Sequence, residues 1–432
     1  DESESIFEQF NSGLGRSPHD SWAKFEWLMK YSGTVVCMDA MLGDRTVNAL
    51  RFLRTEAADF EHTDKTIYIH ANVFCNARED AYEITETREV FHAKLYGDLT
   101  AGKRVCVATS SKAEAELIFS NIRFKFPDLM AVLYSSDTEK SIKRQHLGDV
   151  NGCWTGYDVI VYTPTISAGV SFEMTHFDRV YGWFTDDSCT VETCIQMLGR
   201  IRDVGDRRYV IGLSTNPASL PETAAEVRQN IIDNRTALYA VANGVVPFSY
   251  DYGANGDLRF HTSPFALLWF ENTAATNRSK NNFVGRFISY VKTYGATCHV
   301  LRGDEFSPGE LAGIRKEDGV VSKMLKSKEN DEIASARTIN GETYNDYTKV
   351  KLGGGELTRP QELSMRKWEL VDYYKYGGVV DEVFVREYNN VVHKRWFRNL
   401  RRLYKFAPAD TTDGLTAAVE AIRREEQAEY DV

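Results

Sequence analysis

Three short stretches of this 432-residue chain combine residue types that could do chemistry on a phosphate. The first is CIQMLGRIRDV, residues 194–204, with Gln196, Gly199, Arg200 and Arg202. Arginine is a planar, permanently charged fork that matches phosphate geometry. Two arginines beside a sheet could stabilise charge that builds up on a transferred phosphoryl group. They are equally what a solvated helix surface carries, where each charge contributes little. The second stretch is DVIVYTPTISAGVSF, residues 158–172, in which an apolar run gives way to Thr163, Thr165, Ser167, Gly169 and Ser171. Hydroxyls and backbone N–H groups after a parallel strand can hold phosphates, and Gly169 allows a close backbone approach. An ordinary strand-to-helix turn also needs small polar residues. The third is RVCVATSSKAEAELI, residues 104–118, where Thr109 and Ser110 precede a helix start with Ser111 and Glu114 at capping-box spacing. Simple helix capping explains it too.

These stretches need strands beneath them. RVCVATS, MAVLYSS, DVIVYTP, RVYGWFT and YVIGLST are rich in Val and Ile, apolar on both faces, and alternate with helical patterns such as SSKAEAELIFSNI. That alternation predicts a parallel sheet covered by helices on both sides, with ligands beyond the carboxyl ends of its strands. TIYIHAN and TVVCMDA read as two more strands, and SWAKFEWLMKY and RTVNALRFLR as helices. After residue 217 long helical patterns take over: LPETAAEVRQNIIDNRTALYAVANG, SPFALLWFENTAA and NNFVGRFISYVKTYG. Phe265, Trp269 and Phe270 offer a stacking platform for bases, although their helical spacing fits core packing better. Residues 303–360 are polar and rich in Gly, Lys and Glu, which suggests a linker or mobile segment. HKRWFRNLRRLYKF, residues 393–406, carries Lys394, Arg395, Arg398, Arg401, Arg402 and Lys405 with no acid. Trp396, Leu400, Leu403 and Tyr404 form an apolar stripe on the same helix. It reads either as a docked helix with solvated charges or as a surface that tracks phosphates.

Taken together the stretches are more specific than apart. Strand-TSS-helix, TPTISAGVSF and QMLGRIR follow one another as motifs IV, V and VI do in superfamily-two helicases. VIVYTPTISAGVSFEMTHFDRVYGW and CIQMLGRIRDV resemble the herpesvirus-type replication-origin-binding protein family. DESES at the start resembles the end of motif II, and VVCMDAML resembles motif III. The resemblance implies an α/β fold: a RecA-like parallel-sheet domain over 63–217, preceded by the end of a first RecA-like domain over 1–62. A mainly helical C-terminal region would follow, as an accessory region over 218–302, the polar segment over 303–360 and a basic-aromatic helical region over 361–432.

The resemblance also implies a DNA helicase of replication initiation, with ATP and Mg²⁺ as cofactors and single-stranded and origin DNA as partners. Asp1 would hold Mg²⁺, Glu2 would polarise the attacking water, and Asp39 would couple hydrolysis to domain closure. Thr163, Gly169 and Ser171 would link phosphates to the strand, with Gly199 beside the cofactor. Gln196, Arg200 and Arg202 would face the γ-phosphate. Thr109, Ser110, Thr163 and Thr165 would contact the nucleic-acid backbone, and the cluster from Lys394 to Arg402 offers further phosphate contacts. Two departures stand out. Arg202 falls six residues after Gln196, where most helicases of the superfamily have the arginine at seven, and Met41 replaces the usual hydroxyl of motif III. No GxxxxGK[ST] occurs, and GLGRSPHD at 13–20 lacks both the preceding strand and the Lys-Ser/Thr of a phosphate loop. The expectation is therefore a C-terminal portion of a helicase whose N-terminal half is lost or encoded separately. Alternatives are a catalytically inactive DNA-binding or recruitment module, and an unrelated α/β phosphotransferase.

Bulk properties set the limits. Net charge is −10, against a protein coated with basic surface, though not against a local basic groove. Seven scattered cysteines without CxxC argue against a disulfide scaffold or zinc ribbon and for a reducing, intracellular compartment, a nucleus or viral replication site included. No stretch approaches the ~18 apolar residues of a membrane span, and the first residues lack a signal-peptide pattern.

Overall fold

The computed structural model describes residues 2–11, 18–55, 67–70, 79–166, 170–216, 218–234, 250–252, 258–260, 263–352 and 357–406. Helices α1 (Ser3–Gln9), α2 (Pro18–Tyr31) and α3 (Asp44–Thr55) open the chain. There follow β1 (Ala81–Thr85), α4 (Arg88–Thr100), β2 (Val105–Thr109), α5 (Lys112–Lys125), β3 (Ala131–Tyr134), α6 (Lys140–Gly148), α7 (Val150–Trp154) and β4 (Val159–Tyr162). Then come β5 (Arg179–Thr185), α8 (Val191–Leu198), β6 (Arg208–Ser214), α9 (Ala224–Asn234) and the short hairpin β7 (Tyr250–Tyr252) and β8 (Leu258–Phe260). The remainder is α10 (Pro264–Asn281), α11 (Phe283–Thr293), β9 (Thr297–Val300), α12 (Pro308–Ser335), α13 (Gly341–Leu352), α14 (Arg359–Tyr374), α15 (Glu382–Tyr388) and α16 (Val391–Phe406).

Two compact units are assembled from non-contiguous stretches. The first comprises Asp1–Glu8, Trp27–Ala224 and Phe270–Lys323; the second comprises Gln9–Glu26, Ala225–Trp269 and Met324–Val432. The first is built on a seven-stranded sheet of order β3-β4-β2-β5-β6-β1-β9, in which every pair is parallel. This is the α/β architecture expected of a RecA-like domain. The central strands β2 and β4 are buried along their whole length, as apolar-on-both-faces strands must be. One face packs on α8 and α11 through Cys194, Met197, Phe283, Phe287 and Val291; the other packs on α4 and α5 through Val90, Phe91, Ile118 and Ile122.

One pair of neighbouring strands meets especially tightly. Gly212 on β6 sits opposite Trp183 on β5, and a Cβ at 212 would lie 1.9 Å from the Trp183 ring. Gly212→Ala therefore forces a fully packed core apart. Overpacking of this kind costs about 3 kcal/mol, a loss that urea unfolding should read directly as a lower midpoint with an unchanged slope.

A buried polar cluster lies under α12. His92 of α4 is fully buried, with Nδ1 at 2.8 Å from Asp318 Oδ2 and Nε2 facing Glu114 Oε1 at 3.6 Å. Asn121 donates to the other Asp318 oxygen at 2.8 Å, and Arg88 pairs with Glu114 at 2.8 Å. Burial alone would lower the His92 pKa, but the two carboxylates outweigh it and raise the value above that of a free histidine. The Ser111–Glu114 signal is half realised. Ser111 Oγ accepts from Glu114 N at 3.4 Å, while the Glu114 side chain serves this cluster instead of the helix start.

The second unit is mainly helical. Ile333, Leu363, Leu370, Phe384 and Val385 form its core. Lys367 donates to the carbonyls of Ala334 and Ala336 at 2.6 and 2.9 Å, closing the end of α12. Tyr344 stacks on Trp368 with ring centroids 4.0 Å apart.

The structure corrects several expectations. Residues 308–335 and 341–352 are helices and not a linker or mobile segment, because Ile314 and Ile333 give α12 buried anchors in a polar-looking sequence. TVVCMDA forms no ladder among the described residues, nor do the described residues 67–70 of TIYIHAN. β1 and β9 were not anticipated. Among the described residues no helix is long and apolar enough to cross a membrane, and the six cysteines present are all free thiols.

Candidate functional site

The α8 helix shows how the sequence positions the site. Thr190 caps it, its Oγ1 accepting from Thr193 N at 3.4 Å. Val191, Cys194, Met197 and Leu198 are buried and fix the helix against the sheet. That leaves Glu192 and Gln196 on the opposite side, with Arg200 one turn further on. Gly199 ends the helix, and the chain then pairs with the preceding motif. Phe172 N donates to Arg200 O at 2.8 Å and Arg202 N donates to Phe172 O at 2.9 Å. The two stretches singled out in the sequence, ending at Phe172 and Arg202, are thus held together by a short parallel bridge.

Glu2, Asp39, Gln196 and Arg200 line one cavity of about 230 Å³, entirely within the first unit. Pro164 and Ile166 of the TPTI stretch form part of the same wall. Arg200 is only 9% exposed; its Nη1 lies 3.5 Å from Val170 O, and its buried Nε has no partner among the described residues. A buried guanidinium left with a free N–H is a group still waiting for an acceptor. Asp39 joins two segments. It accepts from Glu4 N at 2.9 Å and from Met41 N at 2.8 Å, so its carboxylate holds the DESES stretch against the DAM stretch. Glu2 sits just before α1 at a φ of 52°, a left-handed backbone that non-glycine residues adopt at some cost.

Several lining residues escaped the sequence reading. Glu4 accepts from Gly43 N, Arg45 Nε and Thr46 Oγ1 at 2.9, 2.8 and 2.7 Å. Arg45 continues to Asn272 Oδ1 at 3.0 Å. Glu192 accepts from Arg286 and from Tyr290 Oη, which ties α8 to α11. Burial alone would raise the Glu192 pKa, but the Arg286 contact outweighs it and lowers the value. Glu8, in contrast, is pushed up, chiefly by burial and against the pull of Arg45, with Glu192 and Glu4 adding to the rise. Glu192 was within reach of the sequence, four residues before Gln196 on the same helix face. Nothing local marks Arg45, Arg278, Arg286 or Tyr290.

Other expected residues lie elsewhere. Arg202 is exposed and turns its Nε to Ser171 Oγ at 3.0 Å, away from the cavity lining. Gly199 and Thr165 are exposed, and Thr163 is buried, its hydroxyl 3.1 Å from that of Thr165. Thr109 and Ser110 are 0% and 8% exposed. Their hydroxyls bind Ser111 N at 3.2 Å and Thr185 N at 2.9 Å, so they brace the loop and are not presented to solvent. Asp1, Gly169 and the side chain of Arg402 lie outside the described residues. Among the described residues no three His, Cys, Asp or Glu side chains are arranged to hold a metal.

Chemically, the cavity presents carboxylates (Glu2, Glu4, Glu8, Asp39, Asp44, Glu192) facing guanidinium groups (Arg45, Arg200, Arg278, Arg286), with no lysine in its lining. Such a lining suits an anion that arrives with its own cation.

Comparison with known proteins follows the same stretches. The sequence model of the family described as "Origin of replication binding protein" matches residues 1–224. A protein of African swine fever virus named for a helicase/primase complex is 34% identical over 398 residues, covering 91% of this chain and 36% of that relative. The chain thus spans about a third of the length of the curated relatives it matches most extensively. A "Replication origin-binding protein" of Human herpesvirus 7 is 25% identical over 237 residues, covering 51% of this chain and 28% of the relative. Among solved structures, "S. cerevisiae Dbp5 bound to RNA and ADP BeF3" aligns with a TM-score of 0.36 and 10% identity, over 72% of this chain and 61% of that one.

Proposed function

This chain belongs to the origin of replication binding protein family, and on that premise we propose that it is a working portion of an ATP-dependent replication helicase. The observation that carries the reading is the convergence of Glu2, Asp39, Gln196 and Arg200 on one cavity. ATP bound with Mg²⁺ suits that lining, and its phosphoanhydride would supply the free energy for movement along single-stranded DNA. Glu2 would orient water on the carboxylate side, while Gln196 and the unpartnered Nε of Arg200 would meet phosphate oxygens. Asp39 would transmit the state of the site, since it binds the DESES and DAM stretches at once.

The acid surplus of the cavity favours a second reading, a helicase-like DNA-binding or recruitment module that turns over no nucleotide. Titration with a fluorescent ATP analogue and Mg²⁺ separates the two. On the helicase reading the chain binds the analogue, and Gln196→Ala weakens binding about tenfold, the loss of one hydrogen bond to a charged group. Binding that is absent, or indifferent to Gln196, leaves the module.

A further inference from the structure

Helix α10 carries two polar side chains, Asn272 and Ser279, that are 1% and 0% exposed. Each closes the end of a different helix. Asn272 Nδ2 donates to Phe7 O at 2.8 Å, one of the last carbonyls of α1, which have no partner within their own helix. Ser279 Oγ accepts from Val191 N at 2.8 Å, one of the first N–H groups of α8, orphaned for the same reason. The two residues are seven apart. About 700° of turn brings them back to one face of α10, roughly 10 Å apart along its axis. Ala275 and Thr276, between them, line the cavity.

One helix face therefore closes the cavity and grips both of its sides. At one end it grips α1, which follows Glu2. There Asn272 Oδ1 also accepts from Arg45 Nη1 at 3.0 Å, and Arg45 in turn binds Glu4. At the other end it grips α8, which carries Gln196 and leads into Arg200. All these residues belong to the first unit. Apolar side chains would hold the three helices together as well, since exchanging both partners of a buried hydrogen bond for packing is close to neutral. What satisfied, directional bonds add is a single fixed spacing. A site that acts on a phosphate needs one, because a displacement of about 1 Å can cost about 10²-fold. We propose that Asn272 and Ser279 are positioning residues, which set the distance between the side of the cavity that carries Glu2 and the side that carries Gln196 and Arg200. The inference rests on the nucleotide reading of the cavity. Both residues lie beyond the 1–224 stretch that the family model matches.

Titration of the full chain with the fluorescent ATP analogue and Mg²⁺ tests it as a double-mutant cycle. Substitutions at remote, independent sites multiply to within about twofold, whereas networked ones couple by roughly 2- to 150-fold. Gln196→Ala, about tenfold in the wild type, should cost about threefold or less in Asn272→Leu and in Ser279→Ala. A changed span moves the phosphate off the amide, so less is lost when the amide goes. Circular dichroism melting shows which variants are folded, and Ser279→Ala, which removes one hydroxyl, carries the test if Asn272→Leu is not. A Gln196 effect that stays tenfold in a folded variant makes the two bonds structural only, and overturns the proposal while the nucleotide reading stands. A wild type that binds no analogue, or binds it regardless of Gln196, overturns both.

Discussion

Arg200→Ala is expected to reduce ATP turnover by about 10³-fold or more in any form of the protein that hydrolyses ATP, while single-stranded DNA affinity stays within about twofold. Arginines that stabilise charge on a transferred phosphoryl group are worth 10³–10⁵ in rate, and Arg200 is the guanidinium whose geometry fits that task. It is 91% buried by the complement of its 9% exposure, so its charge acts where water screens least. Its Nε is unpartnered among the described residues, its carbonyl accepts from Phe172 N and its N–H donates to Met197 O. Arg202 makes a useful contrast. It is exposed and bound to Ser171 Oγ, so Arg202→Ala should cost far less. Steady-state hydrolysis for the two variants, with melting temperatures as the control, decides the matter. Equal losses, or none for Arg200, would remove Arg200 from the phosphate site.

His92→Leu should destabilise the first unit by about 3–5 kcal/mol, the range for removing one partner of a buried ion pair. Asp318 and Glu114 would be left facing each other across a dry space, with only Asn121 and Arg88 to compensate. The same arrangement has a pH signature. The His92 pKa is raised in the folded state, so its contribution is fully present below the unfolded value of about 6.5. It is lost as pH rises through the higher folded value. Urea midpoints followed from pH 6 upward should therefore fall for wild type and stay level in His92→Leu across that window. A wild type whose stability rises there would mean that the imidazole is buried neutral.

Much of this was legible in the sequence, and the gaps have physical causes. Five strands were readable because runs such as VCVAT and VIVY are apolar on both faces, which only a central parallel strand tolerates. β1 (AYEIT) and β9 (TCHV) lie toward one edge, where polar residues are allowed and the pattern fades. TVVCMDA failed in the other direction: its residues favour a strand, but a strand exists only with a neighbour to bond. At the site, Gln196 and Arg200 were found because they share one helix and its following turn. Arg45, Arg286 and Tyr290 reach the cavity through tertiary folding alone, and no local spacing announces them. The α16 stripe was readable as a stripe, yet which residue docks depended on where Tyr373 and Tyr374 stand.

The edge strand β9 also bears on how the protein is made. It completes the sheet by pairing with β1, and Thr297 bonds Asp80 from 217 residues further along the chain. The family model matches residues 1–224, whereas the strand and the α11 residues Phe283 and Phe287 that fill the core lie beyond it. At a synthesis rate of about 5–20 residues per second, β1 leaves the ribosome roughly 10–40 s before its partner. Throughout that interval the nascent chain carries an open strand edge, exposed to whatever chaperone or neighbouring chain reaches it first.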